Sequence, residues 1–188
     1  EESRDFVERM NRETERVHRI LRDLLDFARP VAAPEEDDEP SASVAEAIEH
    51  VAQLVRPQKA FADVTLLVAV DDDLPGVAMV SGRLEQVLLN LLLNAADVVP
   101  KPSGQVHVTA EAADDAVRIS IEDNGGGIAP SVRDKLFEPF VTTKDVGKGT
   151  GLGLAVCRGL IESAGGTIDV EEGNEGARFV LVVPLAAR

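Results

Sequence analysis

The chain has no tryptophan, no tyrosine and a single cysteine, and its 19 lysines and arginines face 34 aspartates and glutamates. Each scarcity excludes something. With aromatics at 3%, the core has to be aliphatic, and the six phenylalanines draw attention because they are few. One cysteine, Cys157, rules out an internal disulfide framework; set among apolar residues of a helical stretch, it reads as a small core residue, with redox sensing the lesser alternative. A formal net charge of -15 repels phosphate backbones, so general nucleic-acid binding is not expected. The same charge repels any nucleotide, so a phosphate ligand requires a divalent cation and a few well-placed lysines. No apolar run approaches the roughly 20 residues of a membrane-spanning helix, and no leader peptide precedes the fold. The first residue is Glu, so the chain reads as a piece of a longer protein.

What is present is enough for one domain with an appendage: 188 residues, 44% of them hydrophobic. Residues 4–28 read as one helix. Phe6, Met10, Glu13, Val17, Ile20, Leu24 and Phe27 are spaced by alternating fours and threes, a heptad seam with one polar intruder. Leu21, Leu25 and Ala28 widen the apolar face as a helical bundle requires, and Pro30 ends the helix. Residues 30–40, with three prolines and the acidic run Glu35 to Glu39, read as a solvated linker.

Beyond the linker, Ser43 and Glu46 fit a capping box before the stripe Val44, Ile48, Val51, Leu54 and Val55. Residues 63–70 suggest a strand, 71–76 a turn and 77–80 a short strand. The most apolar segment, 84–98, reads as a buried helix. Residues 105–111 and 116–122 form a hairpin, 128–150 a loop-rich stretch, 151–164 a helix, and 166–172 with 177–183 a final hairpin. This order predicts an α+β fold: a two-layer sandwich of a mixed sheet with three helices on one face.

Four blocks carry the chemistry. Asn90 and Asn94 lie four apart in the apolar helix and so share a face; amides there need partners, either a ligand or a neighbouring loop to cap. Asp123 opens Asp123-Asn124-Gly125-Gly126-Gly127, where glycines let the backbone pass close to a ligand, although Asp-Asn-Gly is also an ordinary turn. Phe137 and Phe140 flank Glu138-Pro139 ahead of Lys144, and loop anchoring on the core accounts for most of their use. Finally Gly147, Lys148, Gly149, Thr150, Gly151, Leu152 and Gly153 enter a helix whose first N–H groups favour phosphate oxygens. The spacing is not that of a Walker A loop, and no βαβ unit surrounds it.

In this fixed order the blocks resemble the catalytic ATPase domain of sensor histidine kinases. That family belongs to the superfamily, known as GHKL, that holds gyrase, the heat-shock chaperone ATPase and MutL, and shares the Bergerat-type fold. The resemblance covers residues 41–184, with a related signal in 4–30. It implies three parts: residues 1–30 as the second helix of a dimerisation and phosphoacceptor bundle, 31–40 as linker, and 41–188 as the ATP-binding domain. It further implies ATP with Mg²⁺ as cofactors, and Asn94 as the metal ligand. Asn90 orients phosphates or metal-bound waters, and Asp123 accepts from the adenine amine. Gly125, Gly127, Phe137, Phe140, Gly149, Thr150, Gly151, Leu152 and Gly153 line the nucleotide, with Lys144 on the β- and γ-phosphates and Lys148 as a second candidate. Pro is common in the family where Gly126 stands; the departure should loosen the turn and leave the site intact. Hydrolysing members of the superfamily place a Glu where Asn90 stands. An amide is no proton acceptor, so ATP should be held and hydrolysed slowly, as suits a kinase.

The reaction the resemblance implies is transfer of the γ-phosphoryl to a histidine on a bundle helix absent from this chain. His18, His50 and His107 do not fit that role. Implied partners are ATP or ADP, the phosphoacceptor helix, a cognate response regulator and a second copy in a homodimer, with a cytoplasmic location for the kinase core. The ending Leu24 to Pro30 and the Thr142-Thr143-Lys144 lid are most similar to kinases of the nitrogen-regulation type. Two other classes compete: an ATP-driven conformational machine, which Asn90 and the lack of a downstream transducer disfavour, and a nucleotide-holding regulatory module of the anti-sigma serine kinase or pseudokinase kind.

Overall fold

The computed structural model describes residues 40–142, 144 and 149–187, together with Phe6, Val7, Met10, Thr14 and Val17 of the amino-terminal segment. The remainder of the proposed bundle helix, most of the linker, Gly147 and Lys148 lie outside the described residues. The five amino-terminal residues are helical, the Thr14 hydroxyl donates to the Met10 carbonyl four residues back at 2.9 Å, and Phe6, Met10 and Val17 expose more than half of their surface.

Helix α1 (Val44–Val55) starts where the Ser43 hydroxyl accepts the Glu46 N–H at 3.3 Å, the cap that the sequence predicts. It buries Val44, Ala47, Ile48, Val51 and Val55 and leaves Leu54 exposed. Strand β1 (Val64–Val70) follows, then helix α2 (Ser81–Val98), strands β2 (Gly104–Ala112) and β3 (Ala116–Asp123), a single turn α3 (Pro130–Arg133), helix α4 (Gly153–Ser163), and strands β4 (Thr167–Glu172) and β5 (Ala177–Pro184).

The sheet order is β1-β2-β3-β5-β4. Only β1 and β2 run parallel, Val64 beside Gly104, because α2 supplies the crossover between them; the other pairs are antiparallel. Helices α1, α2 and α4 pack into one core with one face of the sheet. Alternation along β2 sends Val106, Val108 and Ala110 inward and Gln105, His107 and Thr109 outward. The inner face is aliphatic, filled by residues such as Leu84, Leu88, Leu91, Ile119, Ile121, Ile161 and Leu181.

Three boundaries differ from expectation. Residues 77–80 form no strand: Val77 makes isolated bridges to Ala42 and Leu185, and Val80 already caps α2. Helix α2 starts at Ser81 because its first turn is exposed and carries no apolar signal. Helix α4 starts at Gly153, two residues late, since Gly151 is left-handed at φ 68°. Among the described residues no helix is long and apolar enough to cross a membrane.

Candidate functional site

Strand β3 places Asp123 by simple alternation. Val117, Ile119, Ile121 and then Asp123 occupy successive inward positions, so the carboxylate takes the next core position and is only 4% exposed. Its Oδ1 accepts the Gly125 N–H at 2.8 Å and the Ala177 N–H at 3.4 Å. Its Oδ2 has no hydrogen-bond partner among the described residues. Burial pushes the Asp123 carboxyl above the usual range; the two backbone donors pull it down, and the neighbouring Glu122 charge pushes it up again.

The turn after Asp123 is locked. Asn124 Oδ1 accepts the Gln105 N–H at 2.7 Å, and its Nδ2 donates to the Ser103 carbonyl at 3.0 Å. A Cβ at Gly125 would lie 2.8 Å from Asp123 Oδ1 and 3.0 Å from the Val98 carbonyl, so this glycine is needed for space. Gly127 is needed for its φ of 70°, whereas a Cβ at Gly126 would meet nothing within 4 Å. Gly176, at the β4–β5 turn, presses on Asp123 from the other side: a Cβ there would lie 2.6 Å from both Asp123 Oδ1 and the Gly125 nitrogen.

That turn is held from the outer face of the sheet. Glu122 accepts the Asn174 N–H at 2.6 Å and two Arg178 N–H groups at 3.0 and 2.6 Å. Burial raises its carboxyl, but Asn174, the Arg178 bonds and charge, and His107 together hold it below the usual range. A cavity of about 290 Å³ lies between the glycine turn, Arg133 and the β4–β5 turn. Asn90, Asn94 and Lys144 are not among the residues that line it.

Helix α2 strings the other groups along one edge. The Asn90 amide reaches Cys157 and stands beside Gly153, whose Cβ would sit 3.9 Å from it. Cys157 is fully buried and its thiol is pushed up to about 12, which fits the core reading and removes it as a redox centre. One turn on, Asn94 Oδ1 accepts from the Lys144 ammonium at 3.1 Å, and Asp97 Oδ2 accepts from the same ammonium at 2.6 Å. One further residue on, the Val98 carbonyl abuts Gly125. Asn94 and Val98 are about 6 Å apart along the helix axis, so the amide lies about one turn of α2 from the glycine turn that follows Asp123.

Phe140 and Gly151 are tied to each other ahead of α4. Phe140, itself at φ 68°, donates its N–H to the Gly151 carbonyl at 2.8 Å, and a Cβ at Gly151 would lie 2.7 Å from Phe140 Cα. Leu152 is buried and its N–H donates to the Thr150 hydroxyl at 3.4 Å, and the start of α4 stands beside Asn90 at Gly153. The two phenylalanines divide. Phe137 anchors the loop, edge-on to Phe179 with ring centroids 6.4 Å apart. Phe140 is 67% exposed, so the expectation that it anchors the loop is corrected: its left-handed backbone turns the ring outward. Asp97 and Gly176 are the site residues that sequence reasoning missed. Asp97 was open to detection as the acid three residues after Asn94 on the same helix.

Residues 79–187 match the family of histidine kinase-, DNA gyrase B- and HSP90-like ATPases, and the chain belongs to that family. It is 36% identical over 185 residues to the sensor histidine kinase ZraS of Escherichia coli strain K12, covering 98% of this chain and 38% of ZraS. It is 37% identical over 176 residues to the C4-dicarboxylate transport sensor protein DctB of Rhizobium meliloti, covering 89% of this chain and 26% of DctB. Among solved structures, full-length ShkA in complex with AMPPNP is similar over 100% of this chain and 40% of its own, with TM-score 0.81 and 34% identity. Histidine kinase ThkA in complex with the response regulator TrrA is similar over 96% and 50%, with TM-score 0.76 and 26% identity. The chain therefore carries the catalytic domain found in sensor histidine kinases, and it spans less than two fifths of these curated relatives.

Proposed function

We propose that this chain binds Mg-ATP and is the part of a two-component sensor kinase that delivers the γ-phosphoryl group to a histidine on a separate helix. The observation that carries the proposal is Asp123 Oδ2, a buried carboxylate oxygen with no donor among the described residues, beside a glycine turn that α2 abuts at Val98. A buried acceptor needs a donor, and the exocyclic amine of adenine supplies one where guanine presents an oxygen. Support for magnesium comes from the Lys144 ammonium, a cation already seated between Asn94 Oδ1 and Asp97 Oδ2. Neutral and anionic hard oxygens suit that ion, which would neutralise charge on the phosphates when bound. Lys144 and the α4 N–H groups would hold phosphate oxygens, and positioning is the larger part of such a transfer. Asn90 offers no proton acceptor for hydrolysis.

Residues 1–30 would be the second helix of the bundle, 31–40 the linker and 41–188 the ATP-binding domain. The exposed apolar residues Phe6, Met10 and Val17 support a helix meant to be covered, by the phosphoacceptor helix and by a second copy. A response regulator would take the phosphoryl group onward, as the ThkA complex suggests by analogy.

The test is calorimetric titration with Mg-ADP together with label transfer from ATP to the phosphoacceptor helix of the full-length protein. Binding with transfer is expected; binding without transfer would favour a regulatory module. Asp123→Asn should lower adenine nucleotide affinity about ten- to a hundredfold, the worth of a hydrogen bond to a charged acceptor, while the fold persists. Nucleotide affinity of the wild type should also fall as the pH drops through the raised Asp123 value. The sign for the unliganded fold is opposite: a carboxyl with a raised folded value disfavours the folded state increasingly as pH rises through that window. The Asn variant should show neither step, and an unchanged pH profile would place the adenine elsewhere.

A further inference from the structure

We propose that Asp97 is a specificity-determining positioning residue: it keeps the Lys144 ammonium against Asn94 in the nucleotide-free protein, and so makes nucleotide binding depend on the metal. The inference rests on the nucleotide reading above. Asn94 and Asp97 lie one helical turn apart on α2, and Lys144 reaches both from a loop 47 residues beyond Asp97, at 3.1 Å and 2.6 Å. The parked position is built. The Lys144 N–H donates to the Thr142 hydroxyl at 3.2 Å, and Gly149 passes so close that a Cβ would lie 2.7 Å from that hydroxyl and 3.3 Å from Lys144 Cδ.

By charge alone, Asp97 opposes a polyphosphate entering this cleft. The pair gives that charge a use. Bare nucleotide arrives with negative charge only and has to draw Lys144 away from Asp97, leaving the carboxylate facing phosphates. Nucleotide with a divalent cation brings a replacement for the ammonium at the same two oxygens, so Lys144 is freed for the phosphates and Asp97 keeps a cation. Asp97 therefore penalises the metal-free ligand and spares the metal-bound one. The Lys144 side chain is 27% exposed and Asp97 53%, so the pair is partly solvent-screened and its effect is modest.

The experiment measures ADP affinity with Mg²⁺ and with a chelator for the wild type, Asp97→Asn, Lys144→Met and the double variant, plus amide hydrogen exchange of residues 140–150 without nucleotide. Asp97→Asn should raise metal-free affinity about two- to fivefold, leave Mg-ADP affinity without a matching gain, and speed exchange in the loop. In the Lys144→Met background, where only the carboxylate's own repulsion of phosphate remains, the same substitution should give a smaller gain, and Asp97→Glu should keep the wild-type ratio. An equal gain in both backgrounds would show that Asp97 acts by charge alone and overturn the proposal. Weaker Mg-ADP binding in Asp97→Asn with metal-free affinity unchanged would overturn it too, since Asp97 would then hold the metal without restraining Lys144 against the bare ligand. If the wild type binds no nucleotide, the functional reading fails instead, and unchanged exchange in Asp97→Asn still decides against the pairing.

Discussion

Asn94→Ala should abolish phosphotransfer to a supplied acceptor helix while leaving the domain folded. In the proposed site the Asn94 amide oxygen would be a neutral hard ligand to the metal, and losing a metal contact that offsets charge on transferring phosphates is worth several kcal/mol, on the order of a thousandfold in rate. Stability should hold or improve slightly, because Ala has a better helix propensity than Asn by roughly half a kcal/mol and the position is only half-buried. Adenine affinity measured without Mg²⁺ should survive through Asp123. Asn94→Asp should separate the two readouts: a second anion tightens the metal and misplaces it, so binding persists while transfer falls. The measurements are transfer rate and nucleotide affinity, each with and without Mg²⁺. Wild-type transfer with unchanged Mg²⁺ dependence in the Ala variant would make Asn94 a structural amide.

Gly176→Ala should damage the site more than removing the Asp123 charge does. The new Cβ would stand 2.6 Å from Asp123 Oδ1 and 2.6 Å from the Gly125 nitrogen that it accepts from. Either the carboxylate swings out of the cleft, or the β4–β5 turn shifts and loses the Glu122–Asn174 bond. The first route removes the adenine acceptor; the second costs overpacking strain of about 1–3 kcal/mol. Nucleotide affinity should fall at least about a hundredfold, with a lowered unfolding midpoint. Gly126→Ala is the control, since a Cβ there meets nothing within 4 Å, and it should bind as the wild type does. Equal affinities for the two variants would mean that the Asp123 carboxylate does not contact the ligand.

Much of this was legible in the chain because it is local. Ser43 capping α1, the apolar run that becomes α2, and Asp123 at the end of an alternating strand are each decided within a few residues. What escaped is non-local. Asp97 reads as an ordinary surface acid until the fold brings Lys144 to it. Gly176 reads as one more hairpin glycine until β5 is laid beside β3, a neighbour relation that strand order in the sequence does not reveal. Val77 looked like part of a strand because β-branched residues also suit an extended bridge between Ala42 and Leu185. Phe140 misled for a different reason: an aromatic is normally a core signal, and its left-handed backbone overrides that preference.

The bond from the Phe140 N–H to the Gly151 carbonyl has a consequence for how this architecture tolerates change in length. The bond joins Phe140 to Gly151, so any change in the number of residues between them acts on an excursion whose two ends are already tied. For such an excursion the ordering penalty grows only with the logarithm of contour length, about 0.6 kcal/mol for each doubling. Insertions that spare Lys144 and its contacts with Asn94 and Asp97 should leave the sheet and α4 in place. The clasp thus separates two design problems, the frame that carries Asp123 and the length of chain between Phe140 and Gly151, and leaves the second open to variation in size while the first stays fixed.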